Sequence, residues 1–250
     1  SQKIWIDLLM AAFCTVSFYY FTKALKEPRR LLFGLSGAFL GVATITKLPA
    51  LLMVPVLLGL YFYQHRKRER PLPSYLGDLL AFGGPAVLIS LPWFAAFYSH
   101  YGLFVPTWTQ PDAQMLEHYP YVKMVASRPW YYFFMELTLL NPAILMLGVL
   151  CVVKRATLRF EEKSVLLYFF AILLAFTALG MNGHTYQMRF LTLLVPAIYL
   201  LWGGLLREHT RILIALSLVF MVPNAYTSAY YTFNYRYPDI FSVWELLGLI

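Results

Sequence analysis

Long apolar runs constrain this chain more than any other feature of its sequence. A run needs about 20 residues to cross a hydrocarbon core of ~30 Å, and shorter runs need local thinning of the bilayer. With 60% hydrophobic and 13% charged residues, the composition lies outside the range of soluble domains. The sequence therefore predicts an all-α, polytopic transmembrane bundle that forms a single domain over residues 1–250. We assign eight spans, which are Ile4–Phe21, Leu31–Thr46, Leu48–Tyr63, Leu79–Tyr98, Trp130–Val153, Val165–Met181, Phe190–Leu206 and Ile212–Pro223.

Basic residues are distributed unevenly among the connections between these runs. When the connections are assigned to alternate sides, one side receives 14 of the 20 lysines and arginines. They are Lys23, Lys26, Arg29, Arg30, Arg66, Lys67, Arg68, Arg70, Lys154, Arg155, Arg159, Lys163, Arg207 and Arg211. An excess of Lys and Arg marks the cytoplasmic side of a membrane protein. Membrane topology therefore accounts for the net charge of +8, and nucleic acid is not expected as a partner.

The apolar stretch from Leu31 to Tyr63 must reverse direction. It is flanked by the basic clusters "KALKEPRR" and "QHRKRER", which belong on the same side, whereas a single helix would separate them. The reversal is expected at "TKLP", because Pro49 lacks a backbone donor and disfavours helix at the residue before it. Lys47 then lies at the outer face. Small residues that allow close helix packing occur in the first arm at Gly34, Gly37 and Gly41.

Two charged residues at the outer face have both structural and functional interpretations. Lys47 either extends its ammonium to the membrane surface or binds an anion in the outer leaflet. Asp7 lies at the outward end of the first span. It is either an acid favoured by the dipole at a helix N-terminus or a functional carboxylate in a wet cavity.

The longest outward loop runs over residues 99–129, and its composition predicts a short helix lying in the interface. His100, Glu117 and His118 are weak candidates for a divalent metal site, and surface polar residues are the simpler account. Arg128, His184 and Arg189 are expected at the same level as Asp7 and Lys47. Several cations beside a carboxylate suit a phosphate group held at the membrane surface.

Four stretches in this order resemble the polytopic GT-C glycosyltransferases. The first stretch is "WIDLLMAAFCTVSFYYFTKAL" followed by "GLSGAFLGVATITKLPALLMVP". The other three are "LISLPWFAAFYSHYG", "SRPWYYFFMELTLLNP" and "YQMRFLTLLVPAIYLL". The similarity is to the protein mannosyltransferase and lipid A aminoarabinose transferase branch, glycosyltransferase family 39. It implies transfer of a hexose or pentose from a polyprenyl-phosphate donor to a protein, lipid or glycan acceptor. It also implies a site on the periplasmic face of a bacterial inner membrane, surrounded by membrane lipids.

The resemblance assigns roles to individual residues. Asp7 matches an acidic residue that opens an early span near the active site, although Trp-Ile precedes it where the family commonly has Arg-Pro. Lys47 and Arg189 match basic residues near the donor phosphate. The family's principal catalytic carboxylate lies in the first outward loop, upstream of Ser1. The chain is therefore expected to be the C-terminal part of a GT-C module, a fragment that lacks the N-terminal part.

Two other classes of protein remain open on the sequence. A transporter or lipid flippase would also be polytopic, but such proteins place polar or broken helices near the bilayer midplane, often in internal repeats. No repeat is evident in this chain, and its charges cluster at the two faces. The long outward loop argues against the third class, a non-catalytic membrane scaffold.

Overall fold

A computed structural model describes residues 2–66, 72–101, 143–154, 156–181 and 193–207, together with the single positions 131, 134, 211 and 215. All regular elements in these ranges are helical, as predicted. The helices are α1 (Gln2–Lys26), α2 (Arg30–Thr46), a 3-10 turn (Leu48–Leu52), α3 (Met53–His65), α4 (Leu72–Tyr101), α5 (Ala143–Val153), α6 (Phe160–Met181) and α7 (Val195–Leu205).

Three segments in the described ranges are long and apolar enough to cross a membrane. They are Asp7–Lys26, Leu48–His65 and Pro73–Ser99. Two shorter apolar helices, Arg30–Thr46 and Val195–Leu205, accompany them. Membrane character is therefore supported by length and composition, whereas the total of eight spans stays a prediction.

The predicted reversal at "TKLP" is confirmed. Helix α2 ends at Thr46, Lys47 is extended, and Pro49 lies near the start of the 3-10 turn that leads into α3. Phe33 near the start of α2 packs edge to face on Tyr61 near the end of α3, with ring centroids 5.8 Å apart. Because the start of one helix meets the end of the next, the chain runs out along α2 and returns along α3.

Helix α2 packs closely on α4 through its glycines, as the sequence predicts. A Cβ placed on Gly37 would overlap the carbonyl oxygen of Phe82. A Cβ placed on Gly41 would lie 2.8 Å from the carbonyl oxygen of Ala86. The helix backbones therefore approach more closely than any side chain on this face would permit, which is how small residues promote helix association in membranes.

Helices α1 and α2 are joined by a reciprocal pair of hydrogen bonds in the bundle interior. The Ser17 hydroxyl donates to the carbonyl oxygen of Ser36 at 2.8 Å, and the Ser36 hydroxyl donates to the carbonyl oxygen of Ser17 at 2.9 Å. Both serines are fully buried. Each hydroxyl is thus satisfied by the neighbouring helix, so this polar pair serves helix association.

Several helix ends that the sequence places on the basic side meet in the structure. The Lys26 ammonium at the end of α1 forms an ion pair with Glu161 in the first turn of α6. Lys154, just after α5, donates to the carbonyl oxygen of Leu205 at the end of α7 at 2.8 Å. Glu162 accepts a hydrogen bond from the Arg159 backbone N–H at 2.7 Å and so caps the start of α6. We call this part of the bundle the basic end.

Helix α4 extends beyond the span predicted at Leu79–Tyr98. Its 30 residues measure about 45 Å at 1.5 Å per residue, longer than the hydrocarbon core. Because α4 continues to Tyr101, the first three residues of the predicted outward loop belong to the helix, and the rest of that loop lies outside the described residues. Large apolar side chains on its outer face are exposed, including Leu80, Val87 and Leu88. Such a face suits contact with lipid tails.

Candidate functional site

Asp7 is an acid buried inside the bundle, on the second turn of α1. Because α1 extends over Gln2–Lys26, Asp7 lies beyond the first helical turn, where the dipole effect is strongest. The residue is 1% exposed, and the buried apolar side chains Met10 and Ala11 follow it on the same helix. A carboxylate in such surroundings requires compensation from hydrogen bonds or an opposite charge.

Lys47 lies at the junction between α2 and the 3-10 turn. Its backbone is extended (φ −165°, ψ 131°), its N–H donates to the carbonyl oxygen of Ala43 at 2.9 Å, and its carbonyl oxygen accepts from Ala50 N–H at 3.1 Å. Pro49 at the start of the turn removes a donor where a continuing helix would need one. The helix break thus fixes the Lys47 backbone at the end of the hairpin, and the side chain extends from there.

These two residues, predicted to lie at the same level, form an ion pair. The Lys47 ammonium donates to Asp7 Oδ1 across a sequence separation of 40 residues. The Lys47 side chain is 18% exposed and the Asp7 side chain 2% exposed, so lysine is the member of the pair that faces outward. The pair joins α1 to the α2–α3 reversal, at the opposite end of α1 from the Lys26–Glu161 pair.

The second carboxylate oxygen of Asp7 is unsatisfied. Oδ2 is buried and finds no hydrogen-bond partner within the part of the chain that the structure describes. A buried acceptor without a partner costs about 1–3 kcal/mol. A purely structural ion pair would be expected to satisfy both oxygens, because its stability depends on the remaining lone pairs being bonded. Among the described residues, Oδ2 is therefore the atom of this pair that remains able to accept a hydrogen bond from another group.

The basic side of the bundle holds a second buried acid that the sequence analysis did not single out. Asp78 on α4 is 6% exposed and accepts a hydrogen bond from the Tyr61 hydroxyl at 3.3 Å. The His65 ring lies against this tyrosine, with centroids 4.1 Å apart, and against Tyr75 at 5.0 Å. The predicted span started at Leu79 and so excluded Asp78 by one residue. The sequence signal that could have identified Asp78 is an acid surrounded by apolar residues, in "YLGDLLAF".

The other predicted site residues fall outside the residues or side chains that can be described. His100 is on the last turn of α4, and its side chain is not described. Glu117, His118, Arg128, His184 and Arg189 lie outside the described residues. Their assignment to metal or phosphate binding stays a prediction. In the ranges that are described, no three His, Cys, Asp or Glu side chains group as metal ligands would.

Comparisons with protein families, with curated proteins and with solved structures find no significant match to this chain.

Proposed function

We propose that the protein is a membrane glycosyltransferase that moves a sugar from a polyprenyl-phosphate donor to an acceptor at the outer face. The observation that carries the proposal is the buried Asp7–Lys47 pair, at the end of α1 away from the basic end, with one carboxylate oxygen that makes no hydrogen bond to the described residues. The pair brings together an acid and a cation of the kinds that such a transfer requires. The resemblance of the four sequence stretches supplies the reaction class.

The proposed reaction is an inverting displacement at the anomeric carbon. A carboxylate takes the proton of the acceptor hydroxyl while the hydroxyl oxygen forms the new bond to carbon. The carbon–oxygen bond to the phosphate breaks, and the lipid phosphate leaves with the electron pair. Asp7 is the carboxylate that would bind the hydroxyl and take its proton. Cations near the phosphate stabilise its developing charge, and Lys47, Arg128, His184 and Arg189 are the predicted set.

The lipid-facing surface is compatible with a lipid-linked donor. Exposed apolar side chains follow the outer face of α4, at Leu80, Val87, Leu88 and Leu91. A prenyl chain can lie along such a surface, because its burial follows the same area dependence as that of a side chain. A donor held by the membrane needs no nucleotide-binding loop, and the sequence has neither a Walker motif nor a GxGxxG motif.

The experiment is transfer from a panel of radiolabelled polyprenyl-phosphate sugars by the full-length protein in proteoliposomes. Wild type is compared with Asp7→Asn and Lys47→Ala, and with Lys26→Ala as a control that removes an exposed ion pair at the basic end. We expect transfer from at least one donor, with a loss of about 10²-fold or more in the first two variants and near-normal transfer in the control. If folded wild type transfers sugar from no donor, the transporter or flippase alternative takes its place.

A further inference from the structure

We propose that Lys47 is a positioning residue for Asp7, and that Asp7 Oδ2 is the atom that accepts the hydrogen of the acceptor hydroxyl. This inference rests on the proposed transferase function and specifies which atom acts. It gives Lys47 a role distinct from the phosphate-binding role that the family resemblance suggests. The basis is the difference between the two oxygens of one carboxylate: Oδ1 accepts from Lys47, whereas Oδ2 accepts no hydrogen bond from the residues that the structure describes.

The contact with Lys47 fixes how Asp7 is presented. A charge-assisted hydrogen bond from the ammonium to Oδ1 restricts rotation of the carboxylate group. Asp7 lies within a continuous helix and Lys47 at a helix break with a hydrogen-bonded backbone. The backbone position of each residue is therefore fixed. Oδ2 is then held in one direction, and no group in the described ranges donates to it. A proton acceptor needs these properties, namely charge, fixed orientation and an open acceptor site.

The difference in exposure indicates how the ligand reaches this oxygen. Oδ2 is buried, whereas the Lys47 side chain retains access to the surface. A lysine stem has four rotatable bonds and can pivot about its contact with Oδ1 without moving either helix. The hydroxyl is therefore expected to approach Asp7 from the side of Lys47, the member of the pair that reaches the surface. On transfer, the hydroxyl proton passes to Oδ2 and the departing phosphate keeps the electron pair of the broken bond.

Steady-state kinetics of a double-mutant cycle separates the positioning role from phosphate binding. The variants are Lys47→Met, Asp7→Asn and the double variant, assayed against donor concentration at saturating acceptor. A positioning role predicts that K47M lowers kcat by about tenfold or more while the donor KM changes little. It also predicts that K47M adds almost no further loss of kcat when Asp7 is already asparagine, because both changes disable one unit. If Lys47 instead binds the phosphate, K47M raises the donor KM in both backgrounds, which overturns the inference.

A spectroscopic readout keeps the inference testable without turnover. The carboxylate stretching band of Asp7 is identified by its disappearance in D7N, and it is then recorded in wild type and K47M. We expect a band shift in K47M, because the ammonium on Oδ1 polarises the carboxylate. An unchanged band means that Lys47 does not act on Asp7, even if the protein is an active transferase. A shifted band with no transfer from any donor refutes the transferase proposal and leaves the pairing established.

If K47M does not fold, the double variant takes its place in the comparison with D7N, because it contains no uncompensated buried charge. Equal kcat and donor KM in D7N and in the double variant support positioning. A higher donor KM in the double variant contradicts it.

Discussion

Replacing Lys47 with methionine should destabilise the protein more than replacing Asp7 with asparagine. Methionine retains the length and apolar stem of the side chain and removes only the charge and its donors. The acid left behind is 2% exposed, so its charge is shielded from water. In D7N the remaining lysine is 18% exposed and can turn its ammonium toward the surface. The asymmetry in exposure therefore predicts an asymmetry in stability.

The expected magnitudes follow from the burial of each partner. Removing one partner of a buried ion pair costs about 3–5 kcal/mol when the other charge stays buried, which is the case for K47M. For D7N the loss in the free energy of unfolding is at most about 1.5–3 kcal/mol, the value of a hydrogen bond to a charged group. Reorientation of the lysine toward the surface reduces this loss. The double variant D7N/K47M should recover at least about 1 kcal/mol relative to K47M, because the unpaired charge is gone.

The assay is denaturant-induced unfolding of purified protein in one fixed lipid–detergent mixture, followed by circular dichroism. The free energies of unfolding of wild type, both single variants and the double variant form a thermodynamic cycle. Lys26→Ala is the control, because it breaks an ion pair between two half-exposed side chains, and such pairs contribute at most about 1 kcal/mol. If K47M is as stable as D7N, or if the second substitution lowers stability further, Asp7 is not a buried charge that depends on Lys47.

Two further changes test the packing of the bundle. Gly37→Ala should cost about 1–3 kcal/mol, because the added methyl group overlaps the backbone of α4, and this is measured in the same unfolding assay. The matched control Gly59→Ala meets no atom within 4 Å and should gain up to ~1 kcal/mol from helix propensity, so equal effects at the two sites would contradict the packing. Ser17→Ala should cost about 0.6 kcal/mol and no more than ~1.7 kcal/mol. A double-mutant cycle with Ser36→Ala should show positive coupling, and additive losses would mean that the two hydroxyls do not interact.

The hairpin was predictable because two independent signals coincide. Basic clusters at both ends of the stretch from Leu31 to Tyr63 require an even number of crossings, and Pro49 supplies a place for the break. The glycine face of α2 was predictable for a similar reason, since residues three and four apart share one side of a helix. Both inferences use local spacing and a general rule of membrane topology.

The contact between Asp7 and Lys47 could be predicted only in part. Topology places both residues at one level, but no rule of spacing relates side chains 40 residues apart on different helices. The rotation of each helix about its axis decides whether they meet, and this rotation depends on how the glycines of α2 fit against α4. The sequence therefore predicted separate roles for the two residues, whereas the structure shows them in contact.

The cluster around Asp78 shows why the end of an apolar run is a poor guide to the end of a helix. The apolar run begins at Leu79, whereas α4 begins seven residues earlier, at Leu72. Tyr61 donates to Asp78 and makes its burial tolerable, which composition alone does not reveal. A prediction based on runs of apolar residues therefore missed Asp78, a buried acid whose partner Tyr61 lies on the neighbouring helix.

The most direct test of the proposed function is the rate of sugar transfer by Asp7→Asn relative to Asp78→Asn, using the donor that wild type accepts. Both substitutions neutralise one buried carboxylate in the same bundle. Asp7 differs in being paired with a lysine and in having an oxygen that no described residue bonds. We predict that D7N loses transfer by about 10²-fold or more while D78N retains it within a few-fold. Equal rates in the two variants, with both proteins folded, would contradict the assignment of the active site to the Asp7–Lys47 pair.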